Sequence, residues 1–293
     1  MSNSNLHKNC PICKYSDLRE LDRYSKAHLY QCKECNFVFS RQIPSDSEIH
    51  DYYSSTYDIT RYFSPITEKR FNKLLDVFES ERKTNRILDV GAGHGFFLEI
   101  AKKRGWEVYG TELIKDCIDI CESKGINMFQ GKLEDIDFNG LTFDIIVSIE
   151  VIEHLSNPIP FVTKVHELLE PEGLLYVTTP NFNSVLRYTL KEKYDVIEYP
   201  NHLCYFTPKS LKSLMTNQGF EAEMIKTTGF SFTRLKTSKG KSDQDYVTET
   251  SDDEMLRYRI EKNKGLKLAK YSSNGMLNLF KVGDSLKGYF RKK

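Results

Sequence analysis

The sequence predicts an α/β protein, a doubly wound domain with a small zinc ribbon joined to its N-terminus. Three observations predict it. A short apolar run from Arg86, RILDV, passes straight into the glycine turn GAGHG and the helical stretch FFLEIAKKRG. Strand, tight glycine turn and helix in that order open a doubly wound sheet. Strand-like and helix-like segments then keep alternating, the pattern of a sheet covered on both faces. Ahead of all this stand two CxxC pairs, Cys10 with Cys13 and Cys32 with Cys35.

The bulk properties fit that division. At 293 residues the chain has room for one large core and a small satellite, not two full enzymes. A formal net charge of +1 gives no whole-molecule attraction to nucleic acid. The first ten residues, MSNSNLHKNC, hold no apolar run of signal-peptide type, and no stretch is long and apolar enough to span a bilayer. A cytoplasmic setting is therefore expected, where paired cysteines read as metal ligands rather than disulfides.

The ribbon comes first. Its two CxxC pairs are separated by 18 residues, and each knuckle offers two thiolates from one turn, which together complete a tetrahedral zinc site. Four thiolates leave no open coordination position, so the zinc of Cys10, Cys13, Cys32 and Cys35 is structural. The segment between the pairs has apolar residues for two short strands and little else, so metal supplies much of its stability. Residues 1–44 carry seven Lys or Arg against four acids, a mild excess without the interleaved basic and aromatic residues of a nucleic-acid-binding surface.

In the α/β part, Gly91 and Gly93 permit the sharp turn and let backbone approach a ligand, and Asp89 precedes them. WEVYGTEL gives a second strand ending in Glu112, 21 residues past Gly91, where an acid can accept hydrogen bonds from both hydroxyls of a ribose. INMFQGKLEDI supplies a third strand, FDIIVSIEVIEHL a fourth, and LLEPEGLLYVTTPN a helix end, a turn and a fifth.

These residues resemble the class I S-adenosylmethionine methyltransferases, in particular the branch with EVxEH after the fourth strand. The likeness runs from about Arg70 to Phe220, plus the closing strand. It implies a seven-stranded, mostly parallel sheet with the last strand inserted antiparallel. It also implies that Gly91 and Gly93 hold the methionine part of the cofactor and that Glu112 takes the ribose, with Asp89 and Leu113 bordering the same pocket. Leu133 and Glu134 would lie beside the adenine, while Ser148 and Ile149 line the pocket through their backbone. Arg70 stands where quinone O-methyltransferases of this branch carry an arginine near the cofactor carboxylate; a solvated helix charge is the alternative. Lys132 departs from the branch, many members of which have an aspartate there.

Glu150, Glu153 and His154 have the spacing of one helical face, and His202 in NHLCYFTP offers a second imidazole from a later segment. The residues suit a divalent cation such as Mg²⁺ or Mn²⁺, and the resemblance extends to quinone and small-RNA methyltransferases that use a Glu–Glu–His set. Without a cation, His154 or His202 serves as general base with Glu150 beside it. Cys117 and Cys121, four residues apart, read as core thiols.

Toward the C-terminus, Thr207 and Pro208 start a helix that stops near Gly219, and residues 237–254 read as a polar insertion, a mobile loop or lid. From Met255 onward eleven Lys or Arg face two acids, enough for peripheral contact with an anionic surface or substrate. The boundaries are 1–44 for the ribbon, 45–85 for a helical linker and cofactor lid, and 86–293 for the methyltransferase domain. The ending resembles methyltransferases of bacterial surface-polysaccharide clusters, which implies a small-molecule or glycan acceptor, a sugar or nucleotide-linked sugar methylated on oxygen. An RNA methyltransferase guided by the ribbon would need clustered basic aromatics, which are absent. A non-catalytic scaffold would show an eroded glycine turn or ribose acid, and both are intact.

Overall fold

The computed structural model describes residues 5–45, 47–49, 52, 62–237 and 252–293. Much of the linker and most of the polar insertion lie outside the described residues.

Three short strands, β1 (Leu18–Glu20), β2 (Leu29–Cys32) and β3 (Val38–Ser40), form an antiparallel ribbon. The main sheet is built from β4 (Arg86–Val90), β5 (Glu107–Glu112), β6 (Asn127–Gln130), β7 (Phe143–Ile149) and β8 (Leu169–Pro180). The two-residue strand β9 (Cys204–Tyr205) follows, then β10 (Phe220–Thr228) and β11 (Ser285–Lys292). The order across the main sheet is β10-β11-β8-β7-β4-β5-β6. β4 to β8 pair in parallel, and β11 runs antiparallel to both its neighbours, as the family likeness implied. The order reverses between β4 and β7, the place where doubly wound sheets open a crevice at their carboxyl ends.

Among the described residues the α-helices are, in chain order, α1 (Pro65–Phe78), α2 (Phe96–Lys103), α3 (Lys115–Ser123), α4 (Pro158–Leu168), α5 (Val185–Leu190), α6 (Pro208–Asn217), α7 (Phe232–Thr237), α8 (Asp252–Lys262) and α9 (Lys264–Leu279). Their starts follow local chemistry. Ser64, Asn157 and Thr207 each accept a backbone N–H of the first turn, with proline as the next residue. The polar insertion was expected to run to Glu254, but helix α8 already begins at Asp252.

Alternating residues of the buried strands feed two cores. Ile87, Ile145, Val147, Leu174 and Tyr176 face Leu75 and Phe78 of α1 and Leu98 of α2. Leu88, Ile146, Leu175 and Val177 face α4, α6 and the ribbon, including Cys10, Cys32, Phe37 and Phe39. The ribbon therefore shares a core with the α/β domain. It also shares a sheet, because β3 pairs with β9 through Val38↔Tyr205 and Phe39↔Cys204. Helix α9 turns Leu268, Met276, Leu279 and Phe280 toward solvent.

Candidate active site and cysteine cluster

At the carboxyl edge of β4, Gly91 has φ +70°, and an added Cβ would lie 2.8 Å from Cγ2 of Val151. Both the backbone region and the space require glycine. The Gly91 and Ala92 amides donate to the Thr111 carbonyl at 2.9 and 3.0 Å. The Gly93 amide donates to Oε2 of Glu112 at 2.9 Å, and the Leu113 amide to Oε1 at 2.7 Å. Glu112 is thus fixed by the same turn it faces. Asp89 is buried on β4, and its carboxyl is held well above the usual range, first by burial and then by the charge of Glu112. Leu113 is exposed beside this pair. Leu133 is buried and Glu134 half-buried on the turn after β6. Ser148, opposite Val90, is wholly buried. Arg70, by contrast, lies exposed on α1, where Glu150, Tyr176 and Arg257 set its electrostatic surroundings.

The segment after β7 differs from the helical face expected of Glu150, Glu153 and His154. Glu150 takes φ +57°, its amide donates to the Thr178 carbonyl at 3.0 Å, and only Ile152–His154 forms a single tight turn. The reversed Glu150 turns to Thr178, whose hydroxyl its Oε1 accepts at 2.8 Å, while its carboxyl still interacts with that of Glu153. The side chains that converge are instead Glu153, His154 and His202, whose potential ligand atoms all lie within 4.8 Å of one another.

Nδ1 of His154 is 2.8 Å from the Asn201 carbonyl, and Nδ1 of His202 is 2.7 Å from the Val196 carbonyl. A carbonyl only accepts, so each Nδ1 carries the proton and donates it, leaving each Nε2 with a lone pair. The rings stand 4.9 Å apart. Burial lowers both imidazoles below their ordinary value, His202 to about 3 with His154 adding to the effect. Glu153 is buried with neither carboxyl oxygen hydrogen-bonded, and burial followed by the charge of Glu150 raises it well above the usual range. Glu150 is raised too, chiefly by burial in the cleft, against the Thr178 hydroxyl and the charge of Arg234. Glu153, Tyr194, His202, Cys204 and Tyr205 help line a cavity of about 10 Å³, room for one water or ion. An orphaned carboxylate and two imidazoles, each fixed by an N–H to a carbonyl, are a donor set that fits a divalent cation.

Cys204 was not singled out in the sequence. It is buried beside this cluster, and its thiol donates to the Leu155 carbonyl. Cys117 and Cys121 are fully buried in α3, as core thiols should be, and the Cys121 thiol meets the Gly93 carbonyl.

In the ribbon, Sγ of Cys10 is 3.6 Å from that of Cys35, and Sγ of Cys13 is 3.5 Å from that of Cys32. A tetrahedron of sulfurs each about 2.3 Å from zinc has edges of about 3.8 Å, so the cluster fits zinc closely.

A sheet of this order, with a glycine turn gripped by the acid at the end of the next strand, defines an S-adenosylmethionine-dependent methyltransferase. The chain belongs to the family described as Methyltransferase domain, which matches residues 62–224. The ubiquinone biosynthesis O-methyltransferase of Cereibacter sphaeroides (strain ATCC 17025 / ATH 2.4.3) is 28% identical over 185 residues, 56% of this chain and 72% of the relative. The protein of the same name from Ruegeria pomeroyi is 28% identical over 189 residues, 56% of this chain and 71% of the relative. A solved methyltransferase from Archaeoglobus fulgidus shares the fold with a TM-score of 0.52 at 19% identity, covering 78% of this chain and 93% of that one. The ribbon and the segment beyond residue 224 lie outside the family match.

Proposed function

We propose that the enzyme methylates a hydroxyl oxygen of a small-molecule or glycan acceptor, a sugar or nucleotide-linked sugar. The observation that carries the reading is the pair of Nε2 lone pairs, each held ready by an Nδ1–H bond to a backbone carbonyl. The O-methyltransferase relatives support oxygen as the acceptor atom, and the chain's C-terminal pattern supports the sugar class.

Bound S-adenosylmethionine supplies an electrophilic methyl group. Gly91 and Gly93 leave room for its methionine portion, Glu112 takes the ribose hydroxyls, and Leu113, Leu133 and Glu134 enclose the adenine, with Ser148 and Ile149 along the pocket wall. Asp89 favours the cofactor's positive charge, and Arg70 approaches its carboxylate. On the acceptor side, His154 or His202 takes the hydroxyl proton on Nε2 as the C–O bond forms and the methyl–sulfur bond breaks, with S-adenosylhomocysteine as the leaving group, and Glu150 and Glu153 stabilise the resulting imidazolium. A divalent cation, Mg²⁺ or Mn²⁺, held by Glu153, His154 and His202 would lower the hydroxyl pKa. Zinc held by the four ribbon cysteines is structural.

Glu112→Ala should cost about 1.5–3 kcal/mol of cofactor affinity, because a charged acceptor is removed and the Gly93 and Leu113 amides lose their partner. Calorimetry with unchanged S-adenosylmethionine affinity would remove Glu112 from the ribose site. The acceptor atom is tested by incubating sugars, nucleotide sugars and surface glycans with methyl-labelled cofactor. Mass spectrometry should place the label in an ether at a hydroxyl position. Label on nitrogen or carbon, or on none of these compounds, would overturn the reading.

A further inference from the structure

A row of cross-strand partners crosses the top of the sheet beside Glu150. It runs from Ile149 on β7 through Thr178 on β8 and Lys287 on β11 to Lys226 on β10. Cross-strand partners share a face of the sheet, so both lysines stand on the side where the Thr178 hydroxyl holds Glu150. Lys226 directly opposite Lys287 is a like-charge pairing that sheets disfavour. Lys226, Lys270 and Lys287 make no hydrogen bond or ion pair among the described residues. The charges of Glu150 and Glu261 oppose the repulsion at Lys287 and Lys270 without closing an ion pair.

Neighbouring cations on the same elements are paired. Arg291 on β11 meets Glu81 and Glu223, and Lys267 on α9 meets Glu261. Lys287 is half-buried and its ammonium is lowered to about 8, first by burial and then by the charges of Arg70, Lys226 and Lys270. Burial lowers Lys270 as well, with Arg70 and Arg257 adding to it. Repulsion of this kind costs stability, and sites that keep it commonly do so for a ligand.

We propose that Lys287, Lys226 and Lys270 form a subsite for a phosphoryl group of the methyl acceptor, with Arg70 at its border. This rests on the reading of the cleft as an acceptor site and narrows the acceptor to phosphorylated or diphosphate-linked sugars. Three ammonium groups suit the near-double negative charge and multiple oxygens of a phosphoryl group. The row also sets that group beside Glu150, at the end of the sheet where the acceptor hydroxyl is deprotonated.

The test is calorimetric titration of the full chain, saturated with S-adenosylhomocysteine, using inorganic phosphate, inorganic pyrophosphate, UDP-glucose and glucose. Phosphate, pyrophosphate and UDP-glucose should bind, more weakly as salt rises, and glucose should not. Preference for phosphate identifies a terminal phosphoryl group, and preference for pyrophosphate and UDP-glucose a diphosphate bridge. Lys287→Met and Lys226→Met should each weaken binding about tenfold, with cofactor affinity unchanged and Tm unchanged or raised as the repulsion is relieved. Lys212→Met, exposed on α6, serves as the control and should change nothing. The proposal is overturned if wild-type protein binds none of the phosphoryl probes, or if Lys287→Met binds them as tightly as wild type. It is equally overturned if the probes are displaced by cofactor and lost only in Arg70→Met, since the charges then serve the cofactor. Failure to methylate any hydroxyl would sink the O-methyl reading without altering these titrations.

Discussion

His202→Ala and His154→Ala should each slow methyl transfer by roughly a hundredfold or more while cofactor affinity stays at the wild-type level. An acceptor hydroxyl has a pKa far above neutrality, so displacement stalls unless a group takes the proton as the bond forms. Both histidines have Nδ1 committed to a carbonyl, so alanine removes a base already aimed. The pH profile gives a second readout. Both imidazoles are lowered, His202 to about 3, so the neutral, proton-accepting form persists as the solution is acidified through the ordinary imidazole value. With saturating cofactor, kcat should therefore hold between neutrality and mildly acid pH. An acid limb centred near the ordinary histidine pKa would contradict the assignment, as would wild-type turnover in both variants. If a cation takes part, chelator abolishes activity and Mg²⁺ or Mn²⁺ restores it. The control is that the four cysteines still hold their zinc.

Cys32→Ser should reduce zinc from one per chain to none and leave S-adenosylmethionine affinity within about a factor of three. Methyl transfer should fall by tenfold or more. Zinc held by four cysteines would contribute on the order of 10 kcal/mol, so its loss loosens the ribbon where it packs on the main core and pairs with β9. Among the described residues, the cofactor turn at Gly91–Gly93 makes no hydrogen bond to the ribbon. The acceptor loop does: the Ser40 amide donates to the Leu203 carbonyl, and the Leu203 amide to the Glu153 carbonyl, both at 2.8 Å. Elemental analysis, cofactor calorimetry and turnover together check this. Zinc-free wild-type protein from chelator-free preparation would refute the zinc site, and a zinc-free variant with full turnover would refute the brace.

Much of the architecture was legible because it is written locally. The glycine turn, the acid 21 residues later and the CxxC spacing each specify short-range geometry. The family likeness implied the closing strand and its antiparallel insertion, but not its register. That Lys287 faces Lys226 depends on a register set by the whole β10–β11 ladder. The pairing of β3 with β9 joins two very short segments separated by most of the chain, so no periodicity announces it. Glu150 was misread for a physical reason. Its spacing suits a helix, yet tertiary bonds to Thr178 impose a left-handed backbone that glutamate rarely adopts. His202 comes to Glu153 and His154 from the later segment, where the Val196 carbonyl holds its ring.

The ribbon reaches the proposed acceptor side through the pairing of β3 with β9, so zinc in the cysteine cluster and acceptor in the cleft would be linked ligands without touching. If zinc favours the arrangement of residues 203–205 that positions His202, then acceptor binding to that arrangement must tighten zinc retention by the same factor. On that condition, a site with no open coordination position would act as an effector site, its occupancy setting how much of the enzyme is competent.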